Sequence, residues 1–261
     1  MDAKIKKIIT DVNRNGISVV ENCFSKSLCK KYVNFLDKLI SKRIKKKEYV
    51  GTYDNQVLYN YFIENKSTLN LVYHNLIDKV MRNLIDDEYV LTSASARNRR
   101  ISDNKYFKTQ KVSSSGLGWH TDSKYVNEKR IKPNFSYMAV IALEDITEEN
   151  GATCYVPNSH KLDYKPVRNK KYKHKYMKTP AGSIIFLDVA TWHKAGDPTN
   201  KSRWTIFNLY NPWFIKPYWE FNKMLNNGLK KKLPTGIKQI FHYNTTPHLN
   251  QNVGIATKTK L

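Results

Sequence analysis

The spacing of apolar residues changes along this chain near residue 88. Before that point they recur every three or four positions, as on one face of a helix. A short apolar run at residues 16–22 (GISVVEN) predicts a strand. Ser25 or Ser27 can then cap a helix whose buried face is Leu28, Tyr32, Phe35, Leu36, Leu39 and Ile40. The run KRIKKK closes it, with cations where the helix macrodipole favours them. A second amphipathic helix is predicted from Ser67 or Thr68, on Leu69, Val72, Leu76, Val80 and Leu84.

Beyond residue 88 the segments YVLTSASARNR, NFSYMAVIALED, ATCYVPNS, SIIFLDV and RWTIFNLYNPW are short and rich in β-branched and aromatic residues. Polar, Gly or Pro turns separate them, so they read as strands. Helices followed by strands predict an α+β fold, a double-layered barrel over about residues 88–216 covered by the N-terminal helices. Residues 217–243 return to helix with breaks at Gly228 and Pro234, and 244–261 form a polar tail. Neither a repeat nor an inter-domain linker interrupts residues 1–243, so one domain is expected.

A chain of 261 residues that is 40% hydrophobic can bury a substantial core and is not a disordered segment. Cys23, Cys29 and Cys154 are too few and too scattered for a disulfide framework, which suits a reducing compartment. The N-terminus lacks the apolar stretch of an export signal, and no run approaches the roughly 20 apolar residues of a membrane span. A cytoplasmic protein with no membrane partner is expected. The formal net charge of +23 points either to an anionic partner or to a genome rich in Lys and Asn codons, as in NKMLNN. Zinc-finger spacing and RNA-recognition signatures are missing, which argues against a nucleic-acid partner.

Most of the seven histidines read singly as ordinary structural residues. His120 and Asp122 differ. In an extended backbone, residues two apart point to the same side, so His-x-Asp offers an imidazole and a carboxylate to one point. His193 follows an apolar strand and a sharp turn in SIIFLDVATWHK. Two histidines and one carboxylate form the facial triad of non-haem Fe(II) oxygenases, which leaves the opposite face of the metal open. Arg203, on the next strand, can pair bidentately with a carboxylate.

The segments IALEDITEENGATCYVPNSHK and GSIIFLDVATWHKAGDPTNKSRWTIFNLYNPW resemble the phytanoyl-CoA dioxygenase family, including its ectoine-hydroxylase-like members. Asn158 stands where that family usually has Gly. The resemblance implies a double-stranded β-helix (a jelly-roll, cupin-like barrel). It also implies Fe(II) held by His120, Asp122 and His193, with 2-oxoglutarate held by Arg203 and O2 as the second co-substrate. Many members carry a hydroxyl two residues after the distal histidine, where this chain has Ala195. Thr205, Tyr137 and Ser95 are the candidates for the second co-substrate contact. Related halogenases lack the carboxylate, so Asp122 favours hydroxylation with release of succinate and CO2.

A small-molecule substrate is expected to meet Trp119, Ser123, Tyr125 and the segment 161–178, including Lys175. That segment is rich in lysine, which points to an anionic substrate. The competing readings are a catalytically silent barrel that binds a ligand or partner, and an oxygenase or binder acting on nucleic acid. The sequence does not disclose the oligomeric state.

Overall fold

The computed structural model describes residues 2–108, 118–126, 128–197, 199–225 and 231–243. It opens with a helix that the sequence reading passed over. Ile5, Ile8 and Val12 share the buried face of α1 (Ala3–Asn15), and the Asp2 carboxylate caps it by accepting from Lys4 N. Gly16 ends α1 in the left-handed conformation, at φ 83°, which glycine adopts without penalty. A Cβ there would lie 2.3 Å from Thr191 Oγ1, so the chain's passage past that turn requires glycine.

Strand β1 (Ile17–Val20) follows, and Ser25 caps α2 (Lys26–Lys45) by accepting from Leu28 N at 3.3 Å. Lys42, Arg43 and Lys45 occupy the last turn, as predicted. A hairpin of β2 (Gly51–Thr52) and β3 (Asn55–Tyr59) comes next, where no strand was expected. The predicted second helix is divided into α3 (Leu69–Val72) and α4 (Asn75–Leu84). Tyr73 and His74 are extended between them, and His74 Nδ1 restarts the helix by accepting from Leu76 N at 3.2 Å.

The remaining strands are β4 (Val90–Asn98), β5 (Tyr125–Val126), β6 (Lys129–Arg130), β7 (Tyr137–Ala142), β8 (Cys154–Tyr155), β9 (Lys175–Tyr176), β10 (Ile184–Asp188), β11 (His193–Lys194) and β12 (Trp204–Asn211). The large sheet is antiparallel throughout, in the order β1-β10-β7-β12-β4-β3-β2. A small sheet, β11-β8-β9, is extended by a bridge from His120 to His193. This is the expected α+β double-stranded β-helix, with N-terminal helices on one side of its large sheet.

Strand alternation divides the apolar residues into two cores. Ala94, Ala96, Ala139, Ile141, Ile184, Phe186, Trp204 and Ile206 share a core with the helices. Two hydrogen bonds tie the layers: Trp204 Nε1 donates to Asp37 on α2 at 2.8 Å, and the buried Tyr210 hydroxyl donates to the Val72 carbonyl at 2.7 Å. Ile17, Val140, Ala142, Ile185 and Leu187 face the other way and pack with Ile146, Ala152 and Met177. Each Val, Ile, Leu or Met among them contributes about 1.5–3 kcal/mol on burial.

Short helices at Phe221–Met224 and Thr235–Ile240 close the described chain, and Phe221 and Phe241 stack against each other. Pro234 directly precedes the last helix. Gly228 and the tail 244–261 lie outside the described residues. Among the described residues no helix is long and apolar enough to cross a membrane.

Candidate active site

A cavity of about 190 Å³ opens on the second face of the large sheet. The small sheet supplies its histidines. His120 and His193 exchange main-chain hydrogen bonds at 2.9 Å in both directions, so their side chains leave the pairing on the same face. The rings are 4.2 Å apart, centroid to centroid. Asp122 lies two residues after His120, its N–H held by the Val189 carbonyl at 3.0 Å. The three side chains offer ligand atoms within 4.8 Å of one another, and His193 Nε2 is 3.6 Å from Asp122 Oδ2.

The ring orientation suits a metal. His120 Nδ1 lies 2.9 Å from the Gly118 carbonyl, and His193 Nδ1 lies 2.8 Å from the Thr191 carbonyl. A carbonyl only accepts, so each Nδ1 donates and each Nε2 keeps its lone pair. Burial, and then the neighbouring His193, hold the His120 imidazole below its ordinary pKa, which keeps it neutral for ligation.

The turn that carries His193 is pinned from several sides. Asp188 accepts from Ala190 N at 2.8 Å and from the Asn134 amide, which is itself bound by Arg130. The Thr191 hydroxyl donates to the Gly16 carbonyl at 3.2 Å, and Trp192 N donates to Ser159 Oγ at 2.8 Å.

The large sheet supplies the cations. On β12 the residues Thr205 and Phe207 face the cavity, with Arg203 just before that strand, and on β4 Arg97 does the same, with Arg99 just beyond that strand. Arg203 is 5% exposed and donates to the Asn150 carbonyl at 3.0 Å and to Thr205 Oγ1 at 3.3 Å. No acidic side chain among the described residues forms an ion pair with it. Burial, and then the charge of Arg99, lower its pKa to about 10. Glu144 acts on it only from beyond ion-pair distance, and a buried cation without a paired carboxylate is costly, so this one is suited to an anionic ligand. Arg99 is matched already: it binds Asp54 Oδ2 at 2.9 Å, and both side chains are buried.

Of the expected site residues, the fold therefore brings His120, Asp122, His193, Arg203 and Thr205 to one cavity, together with Ala195. Tyr137 is not among them. Met138 and Val140 face the cavity, so the pleat turns Tyr137 into the helix-side core. Ser95 is on the cavity face of β4 but sits behind Arg97, accepting from its Nε at 3.2 Å.

The expected substrate contacts lie off the cavity as well. Trp119 packs against Tyr172 and His174 and carries Lys194 over its ring, because residue 119 points opposite to His120. Ser123 bonds within its own loop, and the Tyr125 hydroxyl donates to the Tyr164 carbonyl at 3.4 Å. Lys175 is exposed on β9, and from the segment 161–178 only Met177 lines the cavity.

Arg97, Arg99 and Asp54 were missed. The alternation of small and polar residues in ASARNR was the available signal for the two arginines. Asp54, in the turn between β2 and β3, had none.

Comparison with known proteins bears on the family and the fold. The family profile described as phytanoyl-CoA dioxygenase (PhyH) matches residues 12–205, a span that holds the triad and Arg203. No curated protein matches the chain in sequence. Among solved structures, HygX from Streptomyces hygroscopicus with nickel and 2-oxoglutarate bound is similar. It is 14% identical, with a TM-score of 0.62 over 82% of this chain and 89% of that one. The epimerase SnoN in complex with Fe3+, alpha ketoglutarate and nogalamycin RO is 17% identical, with a TM-score of 0.62 over 82% of this chain and 87% of its own. At such identities the likeness shows the fold. The profile match covers most of the chain, and on it this protein belongs to the phytanoyl-CoA dioxygenase family of iron- and 2-oxoglutarate-dependent enzymes.

Proposed function

We propose that this protein is a dioxygenase that uses Fe(II), 2-oxoglutarate and O2 to hydroxylate a small organic molecule, releasing succinate and CO2. One observation carries the reading. Two histidines and a carboxylate that converge on one point share a cavity with a buried arginine that forms no ion pair among the described residues.

His120 Nε2, His193 Nε2 and an Asp122 oxygen would hold the iron. Arg203, steadied by Thr205, would bind the distal carboxylate of 2-oxoglutarate by a charge-assisted pair. When bound, iron would let O2 be reduced with electrons from 2-oxoglutarate, and O2 would so supply the oxidising power for attack on a C–H bond. The chain's own contribution is placement and dryness. Met138, Val140, Ile185 and Leu187 give the same cavity an apolar lining that would keep water from the reacting atoms.

The intact ligand set and the unpaired Arg203 speak against a silent barrel. A small-molecule substrate is in keeping with the fold relatives, among them a HygX structure with hygromycin B bound. The test is anaerobic loading with Fe(II) and 2-oxoglutarate, then exposure to O2 across a metabolite panel. Succinate formed in step with an oxygen-18-labelled product is the expected result. Absence of 2-oxoglutarate turnover throughout the panel, by protein that also fails to bind Fe(II), would overturn the reading.

A further inference from the structure

Three arginines reach the cavity, and they differ in burial and in partners. Arg99 is 6% exposed and paired with Asp54, while Arg203 is 5% exposed and set deep beside Thr205. Arg97 sits directly across the ladder from Thr205 but is exposed. The exposed residues of the cavity lining are Arg97 and Asp122, which together mark its mouth.

The surroundings hold the Arg97 guanidinium without neutralising it. Its Nε donates to Ser95 Oγ at 3.2 Å, and its guanidinium carbon is 5.2 Å from the Phe207 ring centroid. These contacts use one N–H and one face. Among the described residues neither terminal nitrogen has a hydrogen-bond acceptor, and no acidic side chain forms an ion pair with Arg97. The fork that binds a carboxylate or phosphate bidentately is therefore free.

We propose that Arg97 anchors an anionic group of the substrate, a carboxylate or a phosphate, at the mouth of the cavity. The proposal rests on the oxygenase reading above and adds the substrate class. Formal charge supports it. Divalent iron and Arg203 together match Asp122 and the 2-oxoglutarate dianion, and Arg99 matches Asp54. Arg97 is the cation left over, in a cavity whose apolar lining includes half-buried Met138 and buried Val140 and Leu187. The chemistry that fits is an organic anion with an apolar body, its charge held at Arg97 and its hydrocarbon directed inward. The lysines of segment 161–178 are outside the cavity and take no part in this contact.

Calorimetry on Co(II)-loaded protein at saturating 2-oxoglutarate tests this without turnover. Benzoate and phenyl phosphate are the anionic probes, and benzamide is the neutral counterpart. At least one anion should bind about tenfold more tightly than benzamide. Arg97→Gln should remove that preference while leaving benzamide and 2-oxoglutarate affinities within about twofold, and Arg97→Lys should keep part of it. Equal binding of anionic and neutral probes, no binding of either anion, or an unchanged preference in Arg97→Gln would each overturn the proposal. Loss of 2-oxoglutarate affinity in Arg97→Gln would do so too, by assigning the residue to the co-substrate. Wild-type protein that takes up neither cobalt nor 2-oxoglutarate would instead overturn the oxygenase reading on which this one stands.

Discussion

His120 and His193 are paired through their backbones, each donating its N–H to the other's carbonyl at 2.9 Å. In such a pair the Cα atoms are about 5.5 Å apart and the side chains share a face. The spacing of the two imidazoles is therefore fixed by main-chain bonds and does not depend on side-chain packing alone.

From this arrangement, His120→Ala, Asp122→Ala and His193→Ala should each fold but lose Fe(II), read as metal content after dialysis and by calorimetry with Co(II). The loss should exceed the roughly 10–100-fold cost of removing an outer-shell partner. The Asp122 variant should also lose hydroxylation. Wild-type metal affinity in any of the three would remove that residue from the ligand set.

Arg203→Gln should separate the two cofactors. Metal binding should persist, because Arg203 touches none of the three ligands. The affinity for 2-oxoglutarate should fall by about 2–5 kcal/mol, the usual cost of truncating one member of a buried charge pair. A titration of the metal-loaded variant that matches wild type would refute the assignment.

Asp54→Ala tests the charge arrangement under the cavity. Arg99 would be left buried without its counter-ion, and breaking such a pair costs about 3–5 kcal/mol. Chemical denaturation should show that loss. The double variant Asp54→Ala/Arg99→Met should recover much of it, since two matched apolar groups leave no unpaired charge. No recovery would mean that Asp54 acts by another route.

Trp119→Ala separates a structural role from a substrate role. Trp119 is 5% exposed and lies under Tyr172 and His174, so its removal should cost about 3–5 kcal/mol of stability. The probe preferences set by Arg97 should be unaffected. A stable variant with altered probe binding would place Trp119 in the substrate path after all.

The His120–Asp122–His193 cluster was legible because its spacing is local: residues two apart on an extended strand point together, and a histidine after a sharp turn is conspicuous. The inward face of a strand was not always so plain. Residues 137–142 are apolar at every position, since one face meets helices and the other a cavity, so alternation could not show that Met138 rather than Tyr137 turns inward. In β4 the alternation was present, small residues toward the helices and Ser95 and Arg97 toward the cavity, but it was used only to identify a strand. The β2–β3 hairpin, GTYDNQVLY, has neither alternation nor a long apolar run. The division between α3 and α4 depends on His74 acting as a cap, which periodicity alone does not reveal.

The two halves of the site ride on different sheets: the imidazoles on the small one, the guanidiniums on the large one. Val140, Ile146, Met177, Ile185 and Leu187 are wedged between them and serve as a shim. On the roles proposed for the triad and Arg203, their combined girth would set the reach from metal to Arg203, and thus the length of 2-oxo diacid that can span it. Thinning the shim, as in Ile185→Val, should relax the gauge toward diacids of a different chain length. Selectivity between 2-oxoglutarate and its shorter and longer homologues would then be tuned by residues that touch neither end of the molecule.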